Sequence, residues 1–345
     1  MIDGHGDDLH RYGGTIVSNF SSNVYNHIDH TALHTHLSAR LHCIHAYPEP
    51  TPLRLEQLLA ERLRLESTQL CVTNGATEAI YLVAQAFAGK TSAVWMPTFS
   101  EYADACRVHG HRVRAFYRME ALPSDADLVW ICNPNNPTGE TRPLKQFIDL
   151  IDAHPQKLFI LDQSYEYFTL KEVLKANDAV NRKNVLIVHS MTKQYAIPGL
   201  RIGYLLGDSG VLDDVRHRRM PWSVNALAIE AGSFLLTSND FVLPDPGLLI
   251  SERERLQSSL KATGVVEVWP SDTHFFLLRL RMGRASALKE YLATYHGILI
   301  RDASNFEGLD DSFVRIAVQT PPENDRLVEA LTAWSNPEEG GEYER

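Results

Sequence analysis

The stretch Leu186-Ile187-Val188-His189-Ser190-Met191-Thr192-Lys193-Gln194-Tyr195-Ala196-Ile197-Pro198-Gly199-Leu200-Arg201 decides the fold. It opens on an apolar run of the kind found in strands covered on both faces. Pro198 and Gly199 then break the chain, and a second such run occupies 201–205. A lysine set between hydroxyls and an arginine at a strand end is a candidate nucleophilic amine beside an anion site. Taken alone, an exposed loop lysine is the simpler account.

Working outward, further short apolar runs lie at 70–73, 93–96, 127–132 and 158–162, and the spacing of Leu, Ile, Val, Ala and Phe predicts helices over 77–87, 102–109 and 144–153. Strands alternating with amphipathic helices specify an α/β fold whose mostly parallel sheet is covered by helices. A Leu-rich helix at 53–65 precedes this region, and 1–30 reads as an irregular arm. After Pro244-Asp245-Pro246-Gly247 the pattern changes to a long charged helix, short strands at 265–269, 275–279, 298–301 and 313–318, and a last helix over 322–334. The expected organisation is an arm at 1–30, a large domain at 31–240 and a smaller C-terminal α+β domain at 241–345, ending in a frayed acidic tail from 336.

Ligands of open parallel sheets gather beyond the carboxyl ends of the strands, so unusual polar groups there are informative. One strand ends in Asp162-Gln163-Ser164-Tyr165, placing a carboxylate and a phenol beside a buried edge. A lone Asp in that place is more often a helix cap. Another ends in Asn133-Pro134-Asn135-Asn136-Pro137-Thr138-Gly139, where a plain turn accounts for the prolines and glycine but does not require three asparagines. A third ends in Thr73-Asn74-Gly75-Ala76-Thr77-Glu78 and feeds a helix whose free N–H groups suit a phosphate.

Together, and in this order, the four segments resemble the fold type I pyridoxal-phosphate enzymes, the aspartate aminotransferase superfamily. The resemblance implies pyridoxal 5'-phosphate held by Lys193 as a Schiff base, Asp162 paired with the protonated pyridine nitrogen, and Asn136 and Tyr165 on the ring's phenolic oxygen. It implies a phosphate site from Ala76, Thr77, Ser190, Thr192 and Arg201, and Phe99 stacked on the ring. Tyr47, in Tyr47-Pro48-Glu49-Pro50, matches a tyrosine that reaches the neighbouring subunit's phosphate, which implies a homodimer with shared active sites. Arg315, in Val314-Arg315-Ile316-Ala317-Val318, matches the arginine that clamps the α-carboxylate of an amino acid substrate.

Within that superfamily the chain is similar to the branch containing histidinol-phosphate aminotransferase and L-threonine O-3-phosphate decarboxylase. The likeness to the second rests on His5-Gly6, Asn19-Phe20-Ser21-Ser22-Asn23, Phe99-Ser100-Glu101-Tyr102, the lysine segment, and Arg301-Asp302-Ala303-Ser304-Asn305-Phe306. It implies a small, phosphorylated amino acid substrate, with His5 and Arg301 on its phosphate and Asn23 in the substrate site. The reaction implied is decarboxylation, with transamination to a 2-oxo acid as the alternative. The arm departs from the family at Asp7, where relatives carry a second glycine, and at Val24-Tyr25-Asn26-His27, where they carry Asn-Pro.

Composition narrows the remaining classes. The 345 residues are 44% hydrophobic and 22% charged, with a formal net charge of −10, which opposes a broad nucleic-acid surface. Cys43, Cys71, Cys106 and Cys132 form no CxxC pair and read as reduced, buried thiols. No run is apolar and long enough to span a bilayer, and the acidic start lacks the layout of a secretion signal, so a cytoplasmic location is expected. His27, His30, His34, His36, His42 and His45 are dense, but metal ligands must converge in space, and no metal is expected. Arg216-His217-Arg218-Arg219 reads as a charged helix end near the rim of the cofactor pocket. A silent pyridoxal-phosphate regulator would need a fused DNA-binding module, and a nicotinamide enzyme a GxGxxG after a strand; neither pattern is present.

Overall fold

In the computed structural model, which describes residues 7–335, the apolar runs become strands buried on both faces. In chain order the strands are β1 (Ser18–Asn19), β2 (Leu70–Thr73), β3 (Thr91–Trp95), β4 (Arg112–Phe116), β5 (Leu128–Cys132), β6 (Leu158–Asp162), β7 (Val185–Ser190), β8 (Gly203–Gly207), β9 (Val266–Val268), β10 (Phe275–Leu280), β11 (Ile298–Leu299), β12 (Arg301–Asp302) and β13 (Phe313–Ala317). Seven form one sheet in the order β2-β8-β7-β6-β5-β3-β4, in which β8 alone runs antiparallel to its neighbours. Because side chains alternate along a strand, Ile131, Leu161 and Ile187 enter the core on one face, while Trp130, Ile160 and Leu186 enter the core on the other. Helices such as Gly75–Ala86 and Glu101–Val108 cover the second face.

A four-stranded antiparallel sheet, β12-β13-β10-β9, carries a separate core with the helices Pro246–Ala262, Ala285–His296 and Pro321–Ser335. The N-terminal segment joins this second sheet's side of the molecule. β1 pairs in parallel with β11, and Asp8 meets Lys289 at 2.6 Å.

Several expectations need correction. The segment at 112–116 is an edge strand that its arginines hid, since an edge facing water tolerates charge. β8 begins at Gly203 because Arg201 sits at φ 55°, which turns the chain before pairing starts. The run at 298–301 divides into β11 and β12, which pair with different strands. The arm is not wholly irregular, and Cys43 is only half-buried. Arg216 and Arg219 do not rim a pocket: Arg216 donates to the Ser67, Thr68 and Leu70 carbonyls, and Arg219 pairs with buried Glu56 at 2.8 Å, clamping the outer strand β2. The histidines disperse, His27 to Glu323 at 2.9 Å, His30 to the Tyr195 carbonyl at 2.9 Å and His36 to Glu230 at 3.4 Å. Among the described residues no three His, Cys, Asp or Glu side chains are placed to hold a metal ion. No helix among them is long and apolar enough to cross a membrane.

Candidate active site

The carboxyl ends of β2, β5, β6 and β7 open onto one cavity of about 230 Å³. Lys193 enters it from the short helix Met191–Gln194 that follows β7, and Asp162 from the last residue of β6. Burial, with the Arg315 and Arg201 charges adding to it, pulls the Lys193 ammonium from its ordinary 10.5 down to about 8. A large share of the amine is therefore neutral in mildly alkaline water. Asp162 is buried, with Oδ1 accepting from the Ser164 N–H at 2.9 Å and Oδ2 from the Tyr102 hydroxyl at 2.7 Å.

An anion cradle lies at one end. The helix Gly75–Ala86 points its first N–H groups into the cavity at Ala76 and Thr77, which line it. Arg201 reaches over that helix start because Gly75, at φ 79°, has no side chain: a Cβ there would stand 2.6 Å from Arg201 Nη2. Ser190 and Thr192 join hydroxyls at 2.7 Å in the same wall.

At the other end stand two guanidiniums. Arg301 and Arg315 are cross-strand partners on β12 and β13, so both side chains leave the same face of the small sheet. Both are buried, and neither meets a carboxylate among the described residues. Arg315 donates to Asn136 Oδ1 and the Ser21 carbonyl, and Arg301 to Asn305 Oδ1 at 2.7 Å while lying over the Phe306 ring. Burial pushes Arg315 down to about 9, with the Arg301 charge adding to the fall, and pushes Arg301 down to about 10. Both remain cationic at neutral pH. Beside them a recess of about 20 Å³ is walled by Phe99, Ser100, Asn136, Arg301, Asn305, Phe306 and Arg315.

Tyr165 also lines the cavity; its hydroxyl accepts from the Asn23 amide at 3.3 Å, and burial raises it well above the ordinary phenol range, so it stays protonated. The cavity thus gathers Ala76, Thr77, Phe99, Asn136, Asp162, Tyr165, Ser190, Thr192, Lys193, Arg201, Arg315 and Asn23, with Arg301 in the adjoining recess. Tyr47 is not among them; it is 85% exposed and leans on Trp222. His5 lies outside the described residues. Tyr102, Ser21 and Cys132 line or brace the cavity and were not singled out from sequence. Tyr102 and Ser21 fall within the segments 99–102 and 19–23 that carry the family likeness, which is the signal that points to them. Asp7 also reaches the wall, at φ 55° where a glycine would be at ease, with Oδ1 held by the Asn19 amide at 2.6 Å.

Against known proteins, residues 15–331 match the model of the aminotransferase class I and II family. The chain belongs to that family. It is a pyridoxal-phosphate-dependent enzyme, and the fold is that of aspartate aminotransferase. It is 32% identical over 306 residues to threonine-phosphate decarboxylase of Salmonella typhimurium, spanning 84% of each chain. Among solved structures, L-threonine-O-3-phosphate decarboxylase from Porphyromonas gingivalis is similar with a TM-score of 0.90 and 42% identity, over 92% of this chain and 99% of that one. Histidinol-phosphate aminotransferase from Clostridium acetobutylicum follows with a TM-score of 0.83 and 26% identity, over 92% and 99%. The residues present fit the family's cofactor: a cradle for a phosphate, a buried carboxylate, a lysine amine near neutrality, and an orphaned acceptor, Asn23 Oδ1, in the wall.

Proposed function

We propose that this enzyme decarboxylates a small phosphorylated amino acid of the O-phosphothreonine kind, and that it works as a homodimer with shared sites, organised as an arm to residue 30, a large domain to 240 and a small domain beyond. The reading is carried by the side-by-side pair of buried guanidiniums, which among the described residues form no ion pair with a carboxylate. Two buried cations side by side are costly unless anions meet both, and a substrate carrying a carboxylate and a phosphate supplies two. The unpartnered Nε atoms of Arg301 and Arg315 support this.

In this reading Ala76, Thr77, Ser190, Thr192 and Arg201 hold the cofactor phosphate, Asp162 its pyridine nitrogen, Asn136 and Tyr165 its ring oxygen, and Phe99 stacks on the ring. The bound cofactor supplies an electron sink for charge developing at the substrate Cα. Lys193 carries the cofactor at rest and, once displaced by substrate, holds a proton over Cα. Asp162, fixed by hydrogen bonds from the Ser164 N–H and the Tyr102 hydroxyl, would set its carboxylate against the ring nitrogen. Arg315 grips the α-carboxylate, Arg301 and His5 the phosphate, and Asn23 lies against the substrate. By gripping the carboxylate, Arg315 would set which bond at Cα is broken. For decarboxylation that would be the bond to the carboxylate carbon, leaving as carbon dioxide, and the Lys193 amine would return a proton to Cα. Tyr47, exposed against the Trp222 ring, serves the partner's cradle, and the enzyme works in the cytoplasm.

The test compares phosphothreonine, threonine and histidinol phosphate on wild type and Arg301→Gln. Arg301→Gln should cost phosphothreonine about 2 to 3 kcal/mol in kcat/KM, a charge-assisted bond's worth, with cofactor content unchanged. Equal use of threonine and phosphothreonine would overturn the phosphate assignment.

A further inference from the structure

His274 lies at the entry to β10, with no exposed surface, and no role in the cofactor or substrate site has been given to it above. Its ring sits 4.1 Å from the Phe168 ring and 5.3 Å from that of Phe275. Nε2 lies 3.2 Å from the Asn23 carbonyl oxygen. A carbonyl can only accept, so Nε2 carries the hydrogen and the neutral ring is fixed in one tautomer. Nδ1 is then a bare acceptor, and it is buried without a partner among the described residues. An orphaned ring nitrogen in an apolar place is unfavourable unless the other nitrogen's bond matters.

That bond ends on the residue that touches Tyr165. The Asn23 amide donates to the Tyr165 hydroxyl at 3.3 Å, and two residues earlier the Ser21 carbonyl accepts from Arg315. The segment at 21–23 therefore bridges the two ends of the cavity; β13 holds its start through Arg315, and His274 holds its last residue, Asn23, to the small sheet. A cation in that place would face the Arg315 and Lys193 charges in a desolvated volume, and burial together with those charges pushes the ring down to about 3, so it stays neutral.

We propose that His274 is a positioning residue: through its single hydrogen bond to the Asn23 carbonyl it holds the Asn23 amide on the Tyr165 hydroxyl, leaving the Tyr165 proton free to donate to the cofactor's ring oxygen. The inference rests on the cofactor role given to Tyr165, and not on the identity of the substrate.

The test is a pH titration of the visible band of the bound cofactor. A donor on the ring oxygen favours the deprotonated form of the chromophore, so misaligning Tyr165 raises the midpoint. His274→Phe keeps the stacking and removes the donor, and should raise the midpoint by about one unit, a tenfold change in the proton equilibrium. His274→Gln, whose amide can reach the same carbonyl, should restore it. Asn23→Ala should reproduce the shift, and His274→Phe should add nothing to it, as expected for two members of one chain of contacts. A lowered melting temperature in His274→Phe with an unmoved midpoint would overturn the proposal, as would equal shifts in the Phe and Gln variants. If His274→Phe does not hold cofactor, failure of Asn23→Ala to move the midpoint overturns it instead. A protein that shows these shifts yet releases no carbon dioxide from phosphothreonine loses the substrate reading and keeps this one.

Discussion

A phenol 2.7 Å from the Asp162 carboxylate changes what that acid can do. Tyr102 donates to an oxygen that would otherwise be buried with fewer partners, and so fixes the direction in which the carboxylate faces the ring nitrogen. Tyr102→Phe should keep the cofactor and lower kcat by about tenfold, corresponding to a hydrogen bond's 1 to 1.5 kcal/mol; an unchanged kcat would show that Ser164 suffices. Lys193 makes a second residue-scale prediction. Its amine is depressed to about 8 from 10.5, so the rate at which apoprotein takes up cofactor should climb across pH 7 to 9 with a midpoint near 8. The same shift means that the unfolded chain binds more protons between those two values, and apoprotein stability should rise with pH across that window. A midpoint of uptake near 10 would contradict both. Lys193, Asp162 and Asn136 were legible in sequence because each follows an apolar run that sets a strand end. The contacts of Tyr102 and Ser21 were not, because their partners come from other elements, 60 residues away for Tyr102 and 294 for Ser21.

Among elements, the helix Gly75–Ala86 and the turn at Arg201 form a single anion cradle only while Gly75 lacks a side chain. Gly75→Ala would place a carbon 2.6 Å from Arg201 Nη2 and strain a backbone at φ 79°. Cofactor affinity should fall by tenfold or more, measured by equilibrium titration of the apoprotein, while the fold persists; unchanged affinity would remove Arg201 from the cradle. Most strands of the large sheet were readable because burial on both faces leaves near-continuous apolar runs. β4 was not, as an edge strand with Arg112 and Arg114 shows no such run. The division between β11 and β12 was equally hidden, since Ile298, Leu299 and Ile300 are all buried and only pairing separates the two strands.

For the whole molecule, the pairing of β1 with β11 joins chain positions some 280 residues apart, a contact that no local pattern encodes. The described N-terminal segment is thereby held to the C-terminal elements, with the Phe20 carbonyl accepting from Ala317 beside Arg315. The exposed rings of Tyr47 and Trp222, in contact with each other, support the proposed dimer. Mixing Tyr47→Phe and Lys193→Ala subunits tests it. In the hybrid the one site that keeps Lys193 receives an intact Tyr47 from the other subunit, so it should bind cofactor as wild type does; affinity no better than that of Tyr47→Phe alone would exclude a shared cradle.

The most direct measurement supplies holoenzyme with carboxyl-labelled phosphothreonine and follows labelled carbon dioxide and the pyridoxamine form of the cofactor in one sample. Stoichiometric release of labelled carbon dioxide with the cofactor unchanged is the predicted result. Accumulation of the pyridoxamine form with the label retained in the organic product would contradict it.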